Sequence, residues 1–459
     1  MIDMHRKFKE DVEKKVFDLR HRQTIQFNMS RYDEAVIEGE KQFSNLDLAR
    51  EKAASIKHKT INRLDKYLID FDSNFTQRGG KVFWAQNKRE AVKEIIRILT
   101  KSRSKKVVKS KSMITEEIEL NEALLKSNIE SIETDLGEYI VQLAEQPPYH
   151  IVTPAMHMSK EDIAKLFHEK FDISDESSPE EITLFVRKLL REKFINADAG
   201  ITGANFLIAD IGAVAITGNE GNAMLTFSMP RIHIVVAGIE KIIPSMEDLQ
   251  LFWPLLASHG TGQSMTVYNS IVTGPRQDKE SDGPEEMHVI LIDNNRTEIL
   301  KQEKQRRALS CIKCGACLNA CPVYRNIGGH SYGTTYSGPI GAVITPFLKG
   351  MKNYKHLSFA STLCGKCTEV CPVNINLHEL LLYNRNEAVK KKHITFNEKM
   401  VMTGWKNIMK RRWVLDMAGQ RSKSLAMNMF FKKSWGPGRA LPEVQPKSFK
   451  ELWKEKNES

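Results

Sequence analysis

The sequence predicts an α/β domain with a mixed sheet, followed by a mainly helical module that carries every cysteine of the chain. Three observations lead there. From Lys81 onward, short β-branched runs alternate with amphipathic helical stretches, the pattern of strands with helices packed on them. Between Asn205 and Ala237 several apolar runs stand close together with Gly, Asn or Asp between them, as adjacent strands and hairpins do. All seven cysteines fall between Cys311 and Cys371, in two tight runs separated by the 42 residues 322–363.

In chain order, residues 1–65 are charged, free of proline and rich in helix formers. Ala53, Ile56, Ile61, Leu64, Tyr67 and Leu68 recur at near-helical spacing, so this arm is expected to pack on the α/β domain after it. A turn-rich break at 74–80 precedes a strand at 81–85, a helix at 88–99, a strand at 106–110 and a helix opened by Thr115 with acidic residues in its first turn. Further strands are expected at 205–209, 212–216, 223–227, 231–237 and 287–292. We place the α/β domain at 66–300, the cysteine module at 301–382 and a basic tail at 383–459.

The first cysteine run, formed by Cys311, Cys314, Cys317, Cys321 and Pro322, reads C-x2-C-x2-C-x3-C-P. The second, formed by Cys364, Cys367, Cys371 and Pro372, is the same run without its leading cysteine. This is the spacing that wraps three thiolates around one [4Fe–4S] cube and sends the fourth to a neighbouring cluster. Gly315 and Gly365, each one residue after a cysteine, let backbone approach the sulfurs closely. The interleaved pattern assigns Cys311, Cys314, Cys317 and Cys371 to cluster one, and Cys321, Cys364 and Cys367 to cluster two. Ser361 stands where the eighth cysteine would be. Two [4Fe–4S] clusters are expected. The second is either a [3Fe–4S] cluster or a [4Fe–4S] cluster whose last iron takes Ser361, water or a partner group, because serine is a harder and poorer ligand than thiolate. Disulfides fit an odd count and a chain without a secretory signal badly. Structural zinc wants four ligands per site and leaves both Cys-Pro endings unexplained. The 42-residue spacer is longer than in a compact bacterial ferredoxin and suits a mainly helical ferredoxin-type module.

The 459 residues are 41% apolar, enough for globular cores, and no run reaches the ~18 apolar residues of a spanning helix. The N-terminus is charged from its start, without an apolar leader, so a cytoplasmic protein is expected, at most peripheral to the inner face of the membrane. From Leu381 to Ser459 there are 18 Lys or Arg against 7 Asp or Glu, a surplus equal to the +11 of the whole chain. Four of the six tryptophans (Trp405, Trp413, Trp435, Trp453) lie there too. With no nucleic-acid motif beside it, this tail reads as a docking surface for an acidic partner or an anionic membrane, or as a solvated helical face.

The α/β region resembles the lactate-utilization (LUD) domain, through segments 109–113 (KSKSM), 133–140 (ETDLGEYI), 202–212 (TGANFLIADIG) and 219–222 (NEGN). A LUD domain followed by a two-run ferredoxin module and a basic tail is similar in layout to the lactate utilization protein B family. The resemblance implies a fold akin to the sugar-phosphate isomerase and CoA-transferase group. It also implies an iron–sulfur electron-transfer component of a system oxidising L-lactate to pyruvate, with a cysteine-rich iron–sulfur protein and a second LUD protein as partners. A reading of another class is a ligand-binding or CoA-transferase-like protein whose clusters are structural or redox-sensing. Candidate polar groups in the LUD region are Lys111, Asp135, Glu138, Asn205, Asp210, Glu220 and Asn222. A buried carboxylate there would serve as base and Lys111 would pair a substrate carboxylate, although turns and helix starts also use such residues. Gly203, Gly212 and Gly221 form no dinucleotide fingerprint. His233 and His288 fall in expected strands and read as packed core histidines.

Overall fold

The structure is a computed structural model that describes residues 3–411, 413–414, 419–435 and 440–458. Met1 and Ile2 of the charged N-terminus lie outside the described residues, as do 412, 415–418 and 436–439 of the basic tail and the final Ser459. The chain forms two compact units, Met1–Ala388 and Val389–Ser459.

Four helices open the first unit: Met4–Phe17, Leu19–Glu40, Leu46–Asn62 and Leu64–Gln77. Short polar caps separate three of them. The Asp18 carboxylate accepts the His21 N–H at 3.0 Å, and Asn45 accepts the Leu48 N–H at 2.9 Å, satisfying donors that a helix start leaves open. Their apolar faces bury Ile25, Met29, Ile61, Leu68 and Phe71.

Ten strands come next: β1 (Lys81–Ala85), β2 (Lys106–Lys109), β3 (Glu130–Glu133), β4 (Ala199–Thr202), β5 (Phe206–Ile208), β6 (Ala213–Gly218), β7 (Ile232–Gly238), β8 (Ile242–Ile243), β9 (Tyr268–Val272) and β10 (Glu286–Ile292). They divide into two sheets. One is wholly parallel with order β1-β10-β7-β4-β2-β3; the other is mixed with order β8-β5-β6-β9. The central parallel strands are buried on both faces, which is why β7 and β10 are almost continuous apolar runs. Successive side chains point to opposite faces. Ile232, Ile234, Val236 and Ile290 meet the helix Lys88–Lys101 through Ile95 and Leu99. Val235, Ala237, Val289 and Leu291 enter a second core shared with the mixed sheet, the N-terminal helices and the cysteine module.

That shared core is what positions the cysteines. The helix Gly338–Leu348 is almost entirely buried, and Leu380, Leu381 and Ala388 of Leu377–Lys390 are buried with it. The module is mainly helical, as expected.

Two local expectations are corrected. Residues 223–227 are not a strand: Asn222–Ser228 is a helix lying flat on β4, so close that a Cβ on Gly200 would sit 1.8 Å from the Thr226 carbonyl oxygen. A five-residue apolar run carries no period that separates helix from buried strand, and this packing decides it. The helix opened by Thr115 is two pieces, Met113–Glu117 and Leu120–Lys126, broken at Glu119 with φ +57°.

The second unit contains the helices Phe396–Met409, Gln420–Trp435 and Phe449–Glu458. Trp405, Trp413 and Trp453 are exposed on it; the Trp435 side chain lies outside the described residues. Among the described residues no helix is long and apolar enough to cross a membrane.

Candidate iron–sulfur centres and the adjoining cavity

The two cysteine runs fold alike. Gly315 and Gly365 both take the left-handed conformation with φ +84°, and each opens a one-turn helix, Ala316–Asn319 and Lys366–Glu369. Only a residue without Cβ adopts this freely. At Gly315 space is also short, since a Cβ would lie 3.0 Å from Val152 and 3.2 Å from His150. Pro322 starts the helix Pro322–Ile327 at its first position, where no N–H is missed.

The sulfurs gather in two sets drawn from both runs. Cys311, Cys314, Cys317 and Cys371 line one closed space with Ile340 and Ile375. Cys321, Cys364 and Cys367 interact with one another instead. Burial, and then the neighbouring thiols, push Cys314 and Cys317 up; burial likewise raises Cys371 to about 11 and Cys367 to about 12. Thiols so held ionise only beside compensating cations, and a soft four-sulfur set suits iron–sulfur ligation. The donors therefore fit the group. Backbone donors already point at sulfur: Lys313 N–H to Cys311 Sγ at 3.4 Å and Ile375 N–H to Cys371 Sγ at 3.3 Å. The Ser361 hydroxyl accepts the Leu363 N–H at 3.1 Å, and its carbonyl accepts from Arg385 at 3.0 Å.

The sets differ in exposure. In the first, Cys314, Cys317 and Cys371 are buried and Cys311 half-buried; in the second, Cys367 is buried, Cys321 half-buried and Cys364 exposed. The N-terminal helices grip this region, with Arg50 donating to the Cys371 carbonyl at 3.0 Å and Arg325 donating to both oxygens of Asp33 at 2.7 Å.

Beside the first set lies a cavity of about 420 Å³. Its walls are the segments just past the carboxyl ends of β2, β3, β4, β7 and β10, closed by Lys313, Cys314 and Tyr336 of the module. Crevices at that edge of a parallel sheet are where α/β folds bind ligands. Lys111, Asp135, Asn205, Glu220 and Asn222 of the sequence-derived candidates face it. Lys111 donates to the Val152 carbonyl. Asp135 caps Leu136–Leu143 through the Glu138 N–H at 3.0 Å, and the Asn205 side-chain oxygen accepts the Thr217 N–H at 3.0 Å. Burial, then the Asp135 charge, push Glu220 up to about 7.

Two candidates do not line the cavity. Asp210 accepts the Met246 N–H at 3.2 Å at a turn. Glu138 is buried beside Glu133 and the half-buried Glu116 around the Lys109 ammonium, which stands 2.6 Å from Glu133 and 3.1 Å from Glu116. Burial and the Glu133 charge hold its carboxyl well above the usual range. Sequence reasoning missed Lys241 as a cavity residue, and nothing in its local pattern marks it. His233 and His288 are both buried, and His233 Nε2 bonds Thr202 Oγ1 at 2.8 Å.

An α/β domain sharing one core with paired cysteine loops of this spacing defines an iron–sulfur protein. Residues 69–292 match the LUD domain model and residues 307–375 the 4Fe-4S dicluster domain model, which implies two iron–sulfur clusters. The chain is 41% identical over 462 residues to lactate utilization protein B of Anoxybacillus flavithermus, covering 98% of each. It is 41% identical to that of Shouchella clausii, covering 97% of this chain and 96% of the relative, and 46% identical to that of Bacillus pumilus, covering 84% and 81%. The chain belongs to the lactate utilization protein B family.

Proposed function

We propose that this chain is the electron-transfer component of an L-lactate-oxidising system. One cluster would be held by Cys311, Cys314, Cys317 and Cys371. The other would be held by Cys321, Cys364 and Cys367, with the Ser361 position open for a fourth ligand. The observation that carries this reading is the sorting of sulfurs from both runs into two sets, one with three of its four sulfurs buried beside the cavity and one reaching the surface at Cys364. The name of the relatives supplies lactate. Bound there, the clusters supply one-electron transfer at potentials set by charge, hydrogen bonds to sulfur and exposure.

The chain's own residues set those conditions. Lys313 and Ile375 aim N–H groups at sulfur, the shared core excludes water from the first set, and Lys313 brings positive charge. The exposed Cys364 loop is the natural contact for a cysteine-rich iron–sulfur partner, with a second LUD protein completing the assembly. Reduced thiols and a basic, tryptophan-bearing tail favour action in the cytoplasm or against the inner face of the membrane.

The test is anaerobic reconstitution, addition of active partner proteins and L-lactate, and electron paramagnetic resonance. Signals of reduced clusters are expected. Clusters that stay oxidised beside demonstrably active partners would reject the reading and favour structural or sensing clusters. Iron analysis of the same sample, about eight atoms per chain against about seven, decides the nuclearity of the second cluster.

A further inference from the structure

We propose that the cavity at the sheet edge binds a 2-hydroxy- or 2-oxo-carboxylate, held by Lys241 and Lys313 against the first cysteine loop, so that this chain itself carries a substrate or product site.

The cavity brings three ammonium groups to one enclosed space: Lys111, Lys241 and Lys313. None has a carboxylate within ion-pair distance among the described residues. By contrast the other cation lining it, Arg296, is saturated by Glu117 and Glu240. Fixed cations in a protein interior are paired as a rule. Lys57 shows the structural alternative, its ammonium being spent on the carbonyls of Glu240 and Ile242 at 2.7 and 3.0 Å. Lys241 has no such bond among the described residues, and Lys313 lies over the Tyr336 ring with its nitrogen 4.3 Å from the centroid. Glu240, the acidic neighbour that both feel, is ion-paired to Arg296, so two ammonium groups facing one cavity without a direct ion pair make a place for an anion.

The position adds the second argument. Helix Leu249–Thr261 reaches the first cysteine loop, where a Cβ on Gly260 would lie 3.2 Å from the Cys314 carbonyl oxygen. Lys313 directly precedes Cys314, so an anion bound to its ammonium lies beside the first sulfur set. The choice of a 2-hydroxy- or 2-oxo-acid rests on the proposed function; the anion site does not. Asn205, Thr217 and Glu220, also in the lining, offer partners for a hydroxyl or keto oxygen. The volume exceeds what a three-carbon acid fills, so longer acids of the class are expected to enter.

The experiment is equilibrium dialysis of anaerobically reconstituted full-length protein, without partners, against radiolabelled L-lactate, pyruvate, a five-carbon 2-oxo acid and inorganic phosphate. Saturable binding of about one equivalent of a 2-hydroxy- or 2-oxo-acid is expected, weakened about tenfold or more by Lys241→Ala and by Lys313→Ala. Iron content and circular dichroism report whether each variant is intact; the corresponding glutamine, Lys241→Gln or Lys313→Gln, replaces one that is not. In the dithionite-reduced protein, bound acid should alter the resonance line shape of one cluster and not the other. No saturable binding of any acid, binding of phosphate alone, or acid binding untouched by the lysine substitutions would overturn the proposal. Because no partner and no turnover are involved, failure here is distinct from failure of lactate-driven reduction.

Discussion

Arg296 donates two parallel hydrogen bonds to Glu117, at 2.9 and 2.8 Å, with both side chains buried. Its Nε reaches Glu240, and the Tyr336 hydroxyl donates to Glu117 at 2.7 Å. Arg296, Glu117 and Glu240 belong to the LUD fold and Tyr336 to the cysteine module, so the Glu117 carboxylate, held in place by Arg296, ties the two together beside the cavity. Removing the guanidinium leaves two buried carboxylates uncompensated. We expect Arg296→Met to destabilise the protein by about 3–5 kcal/mol, measured by urea unfolding, and to lower iron retention.

The same network gives a pH dependence. Burial alone would raise Glu240, but Arg296 and then Lys313 bring it down to about 2. A carboxylate with a depressed native value binds fewer protons folded than unfolded. Its stabilisation is full above the usual 4.5 and fades as pH falls toward about 2. Glu240→Gln should flatten the acid limb of the stability profile, and an unchanged limb would count against the assignment.

His233 acts in a higher window. Burial, then the His288 charge, hold its imidazole down to about 3 from 6.5. The neutral form is the native one, so stability is complete above about pH 6.5 and declines as pH falls toward 3. With one group contributing at most ~1.4 kcal/mol per pH unit, His233→Asn should show a shallower loss of stability than the parent between about pH 6.5 and 5.

The two loop glycines share a backbone angle but not their surroundings. Gly315→Ala adds left-handed strain of about 1–2 kcal/mol and a clash with Val152 and His150. Gly365→Ala adds strain alone, since nothing lies within 4 Å. Iron analysis after reconstitution should show the first variant losing more of its cluster than the second.

Ser361→Cys restores the eighth sulfur of the interleaved pattern. Slower iron loss in air is the expected result; an unchanged rate would argue that Ser361 is not at the second cluster. For the tail, a chain ending at Lys392 keeps Asn384 and Arg385, which bond Val343 and Ser358 of the module at 2.9 Å. If the basic helices dock an acidic partner, that truncation should weaken complex formation most at low salt, where exposed charges act furthest.

Much of the cysteine chemistry was legible because it is written in short spacings: three thiols two residues apart converge whatever surrounds them. The N-terminal helices and strands β1, β2, β7 and β10 were legible for a similar reason, since their apolar periods are local. The helix Asn222–Ser228 was not, because its few apolar residues fit either period and only the contact with Gly200 separates them. Likewise Glu138 and Asp210 carry the right chemistry in sequence but spend it on a buried Lys109 network and on a turn.

By itself, then, the sequence determined that sulfur-bound metal sits in this chain and which α/β scaffold precedes it, because ligand spacing and side-chain period act over a few residues. Only the tertiary structure decided where those sulfurs stand. Folding one face of the parallel sheet and the cysteine helices into a common core places Lys241, Lys313 and Cys314 on one cavity. Such a meeting of residues over 70 positions apart is fixed by burial and close packing, which no local pattern records.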